Sequence, residues 1–293
     1  MIEEITAKTI LSRVSHDTWF GADYNMNLYR GCCHGCIYCD SRSECYQVED
    51  FDRVRVKANA VQLLRRELAA KRSVGVVGIG AMSDSYNPFE RQLQVTRGAL
   101  EAIADAGFGV SLETKSSLVT RDIDLFRRIR DNHSAIVKLT ITAADDALSR
   151  VIEPHASPSL ERFAAVRALA EAGIFCGVLM TPILPYITDA EENIRELIRK
   201  TAEAGGKFVF SMYGVTLRTN QRQYFFDRLD ESMPGMSARY KRVYGNDYYC
   251  PAPRHKQLKA LVREECRKSG LLWRMPDIIR GYRKSDEDQL SLF

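Results

Sequence analysis

Residues 29–46 read YRGCCHGCIYCDSRSECY. Five of the eight cysteines of the chain (Cys32, Cys33, Cys36, Cys39 and Cys45) fall inside this stretch. Disulfide frameworks spread their cysteines along a chain, so this clustering points to metal. Thiolates suit iron–sulfur clusters and zinc alike. Structural zinc commonly takes two C-x-x-C knuckles. Only Cys36–Cys39 forms one here, so zinc would need Cys36, Cys39, Cys45 and one of Cys32 or His34. The other set is C-x-x-x-C-x-x-C, made of Cys32, Cys36 and Cys39, which can hold a four-iron, four-sulfur cluster.

Outward from this loop the chain alternates. Residues 61–71, 91–106, 122–130, 158–172 and 189–203 carry helical spacing. Between and after them lie the β-branched or apolar runs 74–81 (VGVVGIGA), 109–113, 135–141 (AIVKLTI), 174–180 and 207–211. Counting one strand ahead of the cysteine loop, 207–211 is the sixth. Repeated strand–helix units predict a parallel sheet with right-handed crossovers, either open and doubly wound or a partial barrel. Both place function at the strand C-terminal ends. Beyond Tyr213 the alternation stops, and residues 253–269 read as a basic amphipathic helix followed by a short extended piece at 270–274.

With 293 residues, 45% hydrophobic and 27% charged, the composition is that of a globular protein. No run of 18 apolar residues is present, so no membrane contact is expected, and the acidic start MIEEITAKTILSRVS lacks an apolar signal segment. The cytoplasm is the expected compartment. Residues 207–293 hold 17 Lys and Arg against 10 Asp and Glu, whereas residues 1–206 are net negative. That asymmetry suits an anionic partner, nucleic acid among them, or else a solvated helix face. Tyr224, Phe225, Phe226, Tyr240 and Tyr244 can stack on bases or fill a core. Cys176 reads as a small core residue, and Cys33 and Cys45 as structural thiols, Cys45 a buried one.

The cysteine spacing resembles the signature of the radical S-adenosylmethionine superfamily. That resemblance implies a [4Fe–4S] cluster on Cys32, Cys36 and Cys39, with the fourth iron open to the amino and carboxylate groups of S-adenosyl-L-methionine. It also implies a cellular electron donor and a 5′-deoxyadenosyl radical. Three further segments, GAMSDSYNPFE (80–90), ETKSSLVTRDID (113–124) and EPHASPSLER (153–162), resemble the spore photoproduct lyase-related branch in the same order. The likeness covers roughly residues 22–211. It implies a partial (β/α)6 barrel over 1–211, a mostly helical extension packed on it over 212–284, and a flexible tail over 285–293. By this resemblance Tyr38, Ser83, Asp84, Lys115 and Thr140 are cofactor-binding. Each also has a plain structural reading: Asp84 as a turn cap, Lys115 as a surface charge, Thr140 as a strand filler.

One departure matters. The lyases carry a hydrogen-donating cysteine just ahead of the Ser-Asp pair, where this chain has Ala81–Met82. Cys250, Tyr86, Tyr248 and Tyr249 are the alternative donors. The closing QLSLF, with Gln289, Leu290, Leu292 and Phe293, resembles the peptide by which bacterial repair proteins dock on the sliding clamp. Three readings follow: a radical enzyme acting on DNA, in repair or modification; the same chemistry on RNA, a peptide or a metabolite; or a non-catalytic zinc or cluster protein associated with DNA.

Overall fold

The computed structural model describes residues 2–14 and 19–284. Gln289, Leu290, Leu292 and Phe293 lie outside the described residues. Six strands form a parallel sheet: β1 (Tyr24–Met26), β2 (Val76–Ile79), β3 (Gly109–Thr114), β4 (Ala135–Thr140), β5 (Phe175–Met180) and β6 (Phe208–Ser211). They lie side by side in chain order, and every neighbouring pair is parallel. Connecting them are α1 (Ala60–Ala69), α2 (Val95–Asp105), α3 (Ile123–Asn132), α4 (Ser159–Glu171) and α5 (Glu191–Glu203). A doubly wound sheet reverses its strand order at a switch point. This one does not, so right-handed crossovers stack the helices on one face and the sheet curves into a partial barrel.

Alternation along the strands sorts the two faces. Val110, Leu112, Val137, Leu139 and Val178 join the main core under the helices. Ile136, Leu179 and Phe208 face inward, where Phe20, Ile278 and Tyr282 meet them in a separate apolar plug. The expected helix over 91–106 is interrupted at Gln94, whose φ of 52° separates Glu90–Leu93 from α2.

After β6 the chain forms β7 (Gly214–Thr216), α6 (Gln221–Ser232), α7 (Met236–Tyr244), β8 (Tyr249–Pro251), α8 (His255–Lys268) and α9 (Met275–Tyr282). β7 and β8 pair antiparallel. Phe225, Phe226, Tyr240 and Tyr244 are buried in a second apolar cluster, so these four are core residues and not a stacking surface. Tyr224 is clasped between the guanidinium groups of Arg42 (3.8 Å) and Arg228 (5.4 Å). The expected extended piece at 270–274 runs beside β6: Val209 N–H donates to Leu272 O (2.9 Å) and Leu272 N–H to Lys207 O (3.0 Å).

Candidate active site

The strand C-terminal ends and the cysteine loop enclose one cleft. Cys32, Cys36 and Cys39 line it together with residues 80–84 and 113–115 and Thr140. The loop is fixed mainly through its backbone. Gly31 turns at φ +80°, and a Cβ there would meet Phe51 O at 2.6 Å. Cys32 N–H donates to Phe51 O (2.8 Å), Ile37 N–H to Ile152 O (3.0 Å) and Cys39 N–H to Cys36 O (3.2 Å). All eight cysteines are free thiols. Burial pushes the Cys32 thiol up to about 12 and Cys36 well above the usual range. A bound metal reverses this, since ligation requires the thiolate.

The zinc set does not assemble. Cys36, Cys39, Cys32 and His34 line the cleft, but Cys45 does not. Cys45 is exposed, against the expected buried thiol, because its helical turn ends on the surface beside Arg218 Nη1 (3.2 Å). His34 Nε2 lies 3.1 Å from Asp84 Oδ2, short of hydrogen-bond alignment. Cys33 is half-buried against the main core and does not line the cleft. Cys32, Cys36 and Cys39 line one cleft and Cys33 and Cys45 do not, a set of three thiols that fits a cubane with one corner open.

The loops after β2 and β3 are locked together by Asp84. Its Oδ1 accepts from Thr114 Oγ1 (2.6 Å) and Tyr86 N–H (2.9 Å), and its Oδ2 from Lys115 N–H (2.7 Å). Burial opposes its charge, yet the His34 imidazole and these donors hold the carboxyl well below the usual carboxylate range. Ser83 Oγ donates to Gly31 O and ties the same loop to the cysteine turn. Lys115 is half-buried on the cleft wall. Burial opposes its charge, but the Cys36 sulfur and the Glu153 carboxylate hold its pKa above the usual lysine range. Thr140 ends β4 at the cleft, while its carbonyl accepts from Arg162 Nη1 (2.6 Å). The Tyr38 side chain leaves the cleft, and its hydroxyl donates to Glu153.

Sequence reasoning missed Trp19, Glu113 and Lys138. Trp19 and Glu113 line the cleft, and Trp19 Nε1 donates to Glu113 Oε2 (3.0 Å). Lys138 Nζ stands 3.5 Å from that oxygen, donates to Ser111 Oγ (3.0 Å) and sits over the Phe20 ring. Burial pushes its pKa below the usual lysine range. The available signal was the lone lysine in the strand AIVKLTI. Of the alternative hydrogen donors, Cys250 is buried in the second cluster and Tyr86 donates to Asp122 Oδ2 (2.9 Å). Tyr248 and Tyr249 are exposed elsewhere, so none of the four lines the cleft.

Residues 26–198 match the family described as Radical SAM superfamily. The chain belongs to this superfamily. It is therefore a radical S-adenosylmethionine enzyme, and its cofactors are a [4Fe–4S] cluster and S-adenosylmethionine. An uncharacterized protein of Mycobacterium tuberculosis is 30% identical over 268 residues, covering 88% of this chain and 78% of that one. One from Methanocaldococcus jannaschii is 35% identical over 179 residues, covering 60% of this chain and 66% of that one. Among solved structures, a spore photoproduct lyase variant superposes with a TM-score of 0.68 at 17% identity, over 92% of this chain and 80% of that one. A spore photoproduct lyase complexed with dinucleoside spore photoproduct gives 0.65 at 17% identity, with the same coverage. These likenesses establish the shared fold. Among the described residues no helix is long and apolar enough to cross a membrane.

Proposed function

We propose that this radical enzyme acts on DNA, in repair or modification of a base, by a variant of the lyase reaction that lacks the donor cysteine. The observation that carries the reading is the lyase-like barrel combined with the thiol-free wall at Ala81 and Met82, both lining the cleft. A structural neighbour at this fold level binds a dinucleoside lesion, and the C-terminal third of this chain is net positive. When bound, the cluster and S-adenosylmethionine supply a 5′-deoxyadenosyl radical that removes a hydrogen atom from the substrate.

The residues of the chain divide the remaining work. Cys32, Cys36 and Cys39 hold the cluster. The Lys115 ammonium and the Thr140 and Ser83 hydroxyls, all at the cleft, bind the cofactor. Asp84, with its oxygens taken up by the protein, positions Lys115 and Thr114. Tyr38 contributes its backbone between two cluster cysteines, and Glu153 anchors its side chain. The apolar side chains of Met82 and Leu179 line the cleft and would limit the water that reaches a bound cofactor.

The test is anaerobic release of 5′-deoxyadenosine by the reconstituted protein with ultraviolet-irradiated DNA, plain DNA, RNA or no addition. Stimulation by DNA alone supports the reading. Stimulation by RNA only, or by neither, overturns it. Residues 289–293 extend the same reading to a sliding clamp, with Leu292 and Phe293 as apolar anchors; equal clamp affinity of full-length protein and a chain lacking them removes that part.

A further inference from the structure

α8 carries its basic side chains in a stripe. Lys256, Lys259, Arg263 and Arg267 are spaced by three, four and four residues, which sets them along one face of the helix. All four are exposed, and among the described residues none makes an ion pair or a side-chain hydrogen bond. The acids of the helix are engaged elsewhere. Glu265 pairs with Arg195 on α5, and Glu264 holds Lys268 at 2.7 Å. Leu258, Leu261, Val262 and Cys266 bury the opposite face. A helix that neutralises its acids and leaves four cations in a row presents a positive edge about 16 Å long, at a rise of about 1.5 Å per residue.

The stripe borders a groove. Lys256, Lys259, Arg263 and Arg274 line it together with Trp273, Phe210 and Ser211. Phe210 packs edge-on against Trp19 at 5.4 Å, and Trp19 lines the cleft. One aromatic pair therefore forms the partition between groove and active site. The groove reaches the C-terminal end of β6 through Phe210 and Ser211, so it lies one aromatic contact away from the cleft wall.

We propose that this groove holds the phosphodiester backbone of DNA flanking the nucleotide presented to the cleft. The inference rests on the DNA reading above. Lys256, Lys259 and Arg263 displace condensed counterions from the phosphates, and Trp273 offers an aromatic surface beside them.

The experiment compares full-length reconstituted protein with a Lys256→Gln/Lys259→Gln/Arg263→Gln variant. Affinity for a fluorescent DNA oligonucleotide is measured by anisotropy across a salt series. The variant is expected to bind at least ~10-fold more weakly at low salt, with the salt slope shallower by about two to three, since each phosphate contact contributes roughly 0.7–0.9. Slow 5′-deoxyadenosine release without DNA stays unchanged, which shows that the cleft is intact. Wild-type affinity and slope in the variant overturn the groove while leaving the DNA reading standing. Absence of DNA binding by the wild type overturns both. Tighter binding of the wild type to vesicles of anionic lipid than to DNA, lost in the variant, assigns the stripe to a membrane surface and overturns the proposal.

Discussion

Arg162 and Glu153 form an ion pair of 2.6 Å in which neither side chain has any solvent exposure. Arg162 also donates to Thr140 O (2.6 Å) and Ser149 Oγ (2.7 Å), and Glu153 accepts from Tyr38 between two cluster cysteines. Burial raises and Arg162 lowers the carboxyl pKa, with a net shift below the usual range. One buried charge pair thus joins the cluster loop to the cleft end of β4.

Replacing one partner leaves the other charge buried and alone, which destabilises by about 3–5 kcal/mol. Arg162→Leu is expected to lose that much in urea unfolding and to retain less iron after reconstitution. Unfolding at the wild-type midpoint would show that the pair contributes little.

Cys36→Ala is expected to abolish the visible cluster absorbance and 5′-deoxyadenosine release, because three thiolates are the minimum that hold the cubane with one open corner. Cys33→Ala and Cys45→Ala should keep both, since neither side chain lines the cleft. Iron and sulfide analysis separates the two sets. Full cofactor cleavage by the Cys36 variant would remove it from the ligand set.

Gly80 sits at the end of β2 with φ +102°, and a Cβ there would lie 2.1 Å from Glu113 O. Gly80→Ala therefore meets both a forbidden backbone region and a carbonyl that β3 holds in place. A loss of more than about 2 kcal/mol is expected in chemical unfolding. An unchanged melting temperature would show that the loop relaxes freely.

His133 closes α3 with its ring buried, and its Nδ1 accepts from Ser134 N–H (2.8 Å). Burial, then Arg283, pushes its pKa below the usual range. The fold keeps the neutral ring, so below about pH 6.5 the unfolded chain binds the extra proton and stability falls as pH drops. His133→Asn keeps an acceptor and should flatten the stability profile between about pH 5 and 6.5. Parallel profiles for variant and wild type would assign the acid loss elsewhere.

The sheet was legible because doubly covered strands are apolar runs: 74–81 and 135–141 contain β2 and β4 outright. β1 was not singled out, since three residues with Asn25 at the centre carry no such run. The cysteine ligands were legible because they are close in sequence. The polar core was not, because its partners are distant: Tyr38 and Glu153 are 115 positions apart. Charged residues read as solvated in a sequence, and the barrel interior imitates solvent in the pattern. Lys138 looks outward by alternation, yet its neighbours are Phe20 and Glu113. The segments that carried the family likeness turn out to be partly structural. Tyr29 donates to buried Glu90, which Arg121 clamps at 2.8 Å, and Arg121 also grips Asp122 at 2.7 Å.

The strand-like passage at Leu272 has a consequence for how the chain is made. It covers the outer edge of β6, whose N–H and C=O groups would otherwise stand bare. During synthesis, the barrel wall stays unfinished on that side until residue 272 has cleared the ribosome, well after the sixth strand itself. A gene cut at residue 211 would encode every strand of the sheet and still yield a protein that pairs with its own copies, which light scattering would register as aggregation.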